Sequence, residues 1–189
     1  VLFEKYPELC KEYNIEKPLW IFVGSKVIGK AKPTKDGEKS ISDVIEITKY
    51  LSIMISNPSK LDENISLILH DKSGLINNEG SDIFQGKFEY LRKNKPTAEQ
   101  IYNKIFNGTG TLDLYENKSS DGEIALKLSL SSNYFGVINI GDVSALKKKM
   151  HEEGIEVKGE NIKSSQFDSI NESNSTINLL IGSKKFIEG

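Results

Sequence analysis

The chain has a single cysteine, Cys10, so no internal disulfide can staple it, and its two histidines leave too few ligands for a structural zinc site. It has no run of about 18 apolar residues, which excludes an ordinary membrane-spanning helix. The opening residues do not follow the basic, then apolar, then small-residue order of a secretory signal. Nor is there an excess of charge of either sign. With 25 basic against 27 acidic residues the net charge is −2, so any contact with nucleic acid has to be local rather than a property of the whole surface. These absences point to a cytoplasmic protein, and 189 residues suffice for one well-buried core. No internal repeat is present.

The apolar spacing reads as alternating helices and strands. Leu2, Phe3, Tyr6, Leu9, Cys10 and Tyr13 predict an amphipathic helix over 1–14. Leu19-Trp20-Ile21-Phe22-Val23, closed by Gly24-Ser25, predicts a central parallel strand. The polar stretch 26–39 reads as a loop. A helix from Ser40, with Ile41, Val44, Ile45, Ile47, Leu51, Met54 and Ile55 inward, stops before Asn57-Pro58. Residues 59–95 are less regular, with an apolar run from Ile65 to Leu69 and a helix around Phe84–Leu91. Thr97-Ala98-Glu99-Gln100 is a capping box opening a helix that Gly108 ends. Alternation at Leu112 and Leu114, and again at Ile124, Leu126, Leu128 and Leu130, with the turn Ser119-Ser120-Asp121-Gly122 between, predicts a hairpin with one buried face. The last third returns to strand, 134–140, helix, 143–153, a short strand at 155–157, a short helix within 161–170 and a final strand from Thr176. The expected class is therefore α/β, a mostly parallel sheet flanked by helices. Residues 1–58 and 131–189 form the main layer, and 59–130 an α+β insertion containing the hairpin.

Two stretches invite a phosphate. Gly24-Ser25-Lys26-Val27-Ile28-Gly29-Lys30-Ala31 nearly spells a phosphate loop, but Ala31 replaces the magnesium-binding hydroxyl, and Lys32-Pro33-Thr34-Lys35-Asp36-Gly37 does not supply the helix N-terminus that the motif needs. Its lysines read as a solvated loop. Gly182-Ser183-Lys184-Lys185 follows a strand at the end where open α/β sheets place ligands, and is equally an ordinary exposed turn. His70, Asp71 and Ser73 lack an ordered nucleophile and read as loop residues; His151 sits at a helix end, and no carboxylates have metal-binding or acid–base spacing.

The segment from Ile177 to Gly189, INLLIGSKKFIEG, resembles the fifth conserved motif of DEAD/DEAH-like superfamily-two helicases, and among them of the large subunit of type III restriction enzymes. Lys17–Ser25 resembles the family's fourth motif, Ser42-Asp43-Val44 the helix that follows it, and Tyr134–Asp142 the strand and turn before motif five. Residues 59–130 carry no such resemblance. The resemblance implies an incomplete second RecA-like lobe of an ATP-dependent DNA helicase or translocase, closing with a first RecA-like lobe over ATP and Mg2+. By resemblance, Ser183 and Lys184 approach a nucleic-acid phosphate, Gly24 and Ser25 shape the same face, and Glu188 and Gly189 lie near the nucleotide. DNA and the first lobe are the implied partners, with a modification or specificity subunit as a further one.

The chain starts at Val1 and stops at Gly189, before the aromatic residue expected next and before the sixth motif, whose arginines stabilise the transferred phosphate, so a continuation is expected. It contains no first lobe either. No catalytic residue, cofactor or ATP hydrolysis is therefore expected of the chain alone. The competing expectation is a non-enzymatic α/β module whose 59–130 region contacts a partner protein.

Overall fold

The computed structural model describes residues 12–14, 17–24 and 43–183. The expected helix over 1–14 and the loop at 26–39 therefore fall almost wholly outside the described residues. Helix α1 runs over Asp43–Ser56 and buries Val44, Ile45, Thr48, Leu51 and Ile55, the three- and four-residue spacing of one face. Thr48 is tolerated there because its hydroxyl donates to the Val44 carbonyl at 2.8 Å. Asn57-Pro58 ends this helix and starts the next. Asn57 accepts from the Lys60 amide at 3.1 Å, and Pro58 sits in the first turn, where its missing N–H costs nothing, so Pro58–Leu69 forms α2 and absorbs the apolar run at 65–69.

Short α3, Glu89–Lys93, lies later than the helix expected at 84–91. Helix α4, Ala98–Ile105, opens on the expected capping box: Gln100 N donates to Thr97 Oγ1 at 3.2 Å, and Thr97 N to Gln100 Oε1 at 2.9 Å. Asp142 caps α5, Val143–Glu152, by accepting from Ala145 N at 2.9 Å.

The strands are β1 (Trp20–Gly24), β2 (Leu112–Asn117), β3 (Glu123–Leu128), β4 (Tyr134–Asn139), β5 (Val157–Glu160) and β6 (Leu179–Ser183), in the sheet order β1-β6-β4-β3-β2-β5. β1, β6 and β4 are parallel neighbours, as expected for the strands at both ends of the sequence. β3 is antiparallel to both β4 and β2, and β2 is parallel to β5. Five strands therefore point one way and only β3 runs against them. The α/β class and the mostly parallel sheet flanked by helices are thus present, consistent with a RecA-like lobe.

Three local expectations are corrected. The apolar alternation ends early, leaving Leu130 79% exposed, and in β3 Glu123 and Ala125 on the second face are buried as well, while Asp113 and Tyr115 of β2 stay half-buried. β1 is not central; among the described residues it pairs only with β6, and Trp20, Ile21 and Val23 stay open to solvent. The helix expected within 161–170 is a 3-10 turn at Asp168–Asn171.

One large core joins α1, α2, α4 and α5 to one sheet face through residues such as Leu51, Ile101, Leu126, Phe135, Ile138, Leu146 and Ile181. The other face carries a much smaller cluster, Val137, Ile177 and Leu180, packed by Leu19, Tyr134, Phe167 and Ile170. That second cluster is roofed by the chain returning from β5 to β6.

Candidate functional site at the carboxyl edge of the sheet

Because five strands share one direction, their carboxyl ends share one edge. There Gly24 pairs in register with Ser183, and Asn139 with Gly182. Helices α1 and α5 begin at this edge, with Asp43 as the first residue of α1 and Asp142 as the cap of α5. A Cβ added to Gly24 would lie 3.2 Å from Asp43 Cβ and 3.6 Å from Asp43 Oδ2, so the glycine lets β1 end tightly against α1. Asp43 suits a helix N-terminus.

Further along, the β2–β3 turn and the start of α5 enclose a polar groove of about 480 Å³. Gly122 closes that turn at φ +86°, with its carbonyl accepting from Ile140 N at 2.8 Å; a Cβ there would sit 2.4 Å from the Ile140 oxygen. Glu116 on this rim is bonded to Lys147 at 2.7 Å. Lys118 lies along the β5 backbone, its Nζ 3.3 Å from where a Gly159 Cβ would stand, and brings positive charge to the edge.

Gly24 and Ser183, far apart in sequence, are thus brought together. Ser25, Lys184, Glu188 and Gly189 lie outside the described residues, as does the stretch from Ser25 to Ala31 that resembles a phosphate loop. The fragments His70, Asp71 and Ser73 are given separate structural tasks: His70 Nδ1 lies 2.7 Å from the Ser66 carbonyl at the end of α2, Asp71 pairs with Arg92 at 2.6 Å, and the Ser73 hydroxyl donates to Asp82 at 2.8 Å.

Sequence reading missed a second constellation on the sheet face opposite the helices. Lys127 Nζ stands 4.7 Å from the Tyr115 ring centre and 5.0 Å from that of Tyr134; Lys158 bonds Asp113 at 2.9 Å, and Tyr134 Oη donates to Glu160 at 2.5 Å. Burial, then the bond to Glu160 and its charge, push the Tyr134 phenol well above the usual tyrosine range. Each charge in this network has an internal partner. Its only sequence signal was the polar half of the hairpin alternation, which names Asp113, Tyr115 and Lys127 without saying what they meet, while Tyr134, Lys158 and Glu160 lie on other strands.

Magnesium, which the resemblance implies for the intact enzyme, needs converging oxygen ligands. Among the described residues no three His, Cys, Asp or Glu side chains converge on one point. No family model, curated protein or solved structure matches the chain.

Proposed function

We propose that the chain is the second RecA-like lobe of an ATP-dependent DNA helicase or translocase of the type III restriction enzyme kind, and that its carboxyl edge contacts the DNA backbone. The observation that supports this reading is the pairing of Gly24 with Ser183 at the ends of adjacent parallel strands, where open α/β sheets bind ligands. It joins the two segments on which the family resemblance rests. Ser183 and Lys184 meet phosphate, Gly24 and Ser25 shape the backbone surface, and Glu188-Gly189 link that contact to ATP held against a first lobe. That lobe supplies the magnesium site. A cytoplasmic location accords with this role; among the described residues no helix is long and apolar enough to cross a membrane.

The test is DNA binding across a salt series, followed by fluorescence anisotropy on a labelled duplex. Lys184→Ala lowers the slope of log affinity against log salt by about 0.9 and leaves sequence preference unchanged, because a phosphate contact releases one counterion and reads no base. An unchanged slope makes Lys184 a solvated lysine and removes the nucleic-acid assignment of this edge.

A non-enzymatic interaction module is favoured by one feature, a small structured excursion after α2. Its hairpin pairs Ile76 with Asp82, and Leu75, Ile76 and Ile83 stay exposed. The amide of Phe84, then the hydroxyl and amide of Ser73, hold the Asp82 carboxyl below the usual carboxylate range. Arg92 donates to Asp71 and to the carbonyls of Leu69, Phe84 and Lys87. Branched apolar side chains on so firmly tied a loop suit a protein partner.

A further inference from the structure

Glu123, at the start of β3, is 2% exposed, and among the described residues no cation pairs with it. Its carboxylate is instead satisfied by four uncharged donors. Oε2 accepts from Asn117 Nδ2 at 3.2 Å and from Gln166 N at 3.0 Å; Oε1 accepts from Phe167 N at 3.3 Å and from the Ser165 hydroxyl. Asn117 reinforces the arrangement by donating to the Ser164 carbonyl at 3.0 Å, and Ser165 Oγ also accepts from Asp168 N at 2.9 Å. One buried carboxylate thus fastens residues 164–167, the near end of the segment that crosses the second sheet face on its way to β6.

Apolar packing holds that segment weakly. Over the second face Val137, Ile177 and Leu180 form a small buried cluster, and of the three apolar side chains in 161–175 Ile162 is buried while Phe167 and Ile170 are half-buried. The far end is tied separately: Asn107 Nδ2 donates to the Thr176 carbonyl at 2.8 Å, and Lys17 Nζ to that of Ser175 at 2.6 Å. With slight burial and polar fastening at both ends, the segment has the make-up of a locally opening unit, whereas the strands beneath share the large core.

We propose that residues 161–175 form a strap, latched by the Glu123 carboxylate, that opens from the sheet as a local unit and bares the second face beside β4 and β6 while the rest of the fold persists. An ionised carboxylate offers only lone pairs, which suits four donors. Replacing the carboxylate by an amide turns one oxygen into a donor that faces the backbone amide of Gln166 or Phe167, so the latch is lost in Glu123→Gln. Glu123 also lines the polar groove of the β2–β3 turn, together with Glu116, Lys118, Asp121 and Asp142, Glu116 being paired with Lys147. Lys163 and Asp168 are carried by the strap itself, and the cross-strand neighbour of Glu123 on β4, Asn139, is uncharged.

Amide hydrogen exchange read by mass spectrometry tests the strap on the chain as it stands. In Glu123→Gln, amides of 164–171 exchange on the order of a hundredfold faster, while β4 and β6 keep their protection. Ser165→Ala, which keeps the charge and removes one donor, gives about tenfold over the same residues. Strap amides that exchange in step with β4 in the wild type overturn the proposal. So does a Ser165→Ala protein that loses protection uniformly across strap and sheet, and so does a Glu123→Gln protein whose strap amides keep wild-type protection.

Discussion

Tyr134 stands where three influences meet: partial burial, a hydrogen bond to Glu160 and the Tyr115 ring 6.2 Å away, edge-on. Since its phenol titrates above the ordinary range, the folded state holds this proton more tightly than the unfolded state does. The resulting stabilisation is complete below the unfolded tyrosine pKa of about 10 and is lost as pH rises through the higher folded value. Denaturant midpoints measured from neutral to strongly alkaline pH should therefore fall more steeply in the wild type than in Tyr134→Phe, and equal slopes would show that Tyr134 is not a source of the loss. At the same scale, single positions show why the candidate edge was only half legible. Ser183 was nominated from its neighbours in sequence, whereas the meeting of Gly24 with Asp43 is an approach in space that no spacing encodes.

Among the elements, α4 was the most readable, because its start signal is chemical and local. Thr97 and Gln100 satisfy each other's backbone amides, and Ala98 N adds a bond to Asp62 Oδ1 at 2.9 Å. Thr97→Ala removes the cap and should lower unfolding free energy by about 1 kcal/mol, measured by urea denaturation, while Thr97→Ser should recover most of it. Helix α2 was less readable, since Asn57-Pro58 is both a stop for one helix and a cap and first turn for the next, and only continuation of the helical backbone distinguishes the two. For β2 and β3 the pairing and the turn were legible in alternation. The cover on their second face was not, because it depends on a distant segment, residues 165–167, that lies over Glu123.

Across the whole molecule, stability is set by one large core on the helix side of the sheet, with β3 at its centre and β1 at its margin. Leu126, fully buried in β3, and Ile21, 48% exposed in β1, are both apolar residues in strand-like runs. Leu126→Ala should cost about 3 kcal/mol by chemical denaturation. Ile21→Ala should stay within about 0.5 kcal/mol of the wild type. Similar losses at both sites would mean that β1 is covered in solution. The sequence by itself determined the α/β class, the approximate places of most strands and helices and the cap of α4, because these rest on period, capping chemistry and backbone preference within a few residues. Tertiary structure decided the strand order, the burial of β3, the pairing of Gly24 with Ser183, and the seat of Glu123 among donors from the hairpin and the strap. Those features depend on which distant segments lie side by side, and contacts of that kind are selected by packing of the whole sheet rather than by any local pattern.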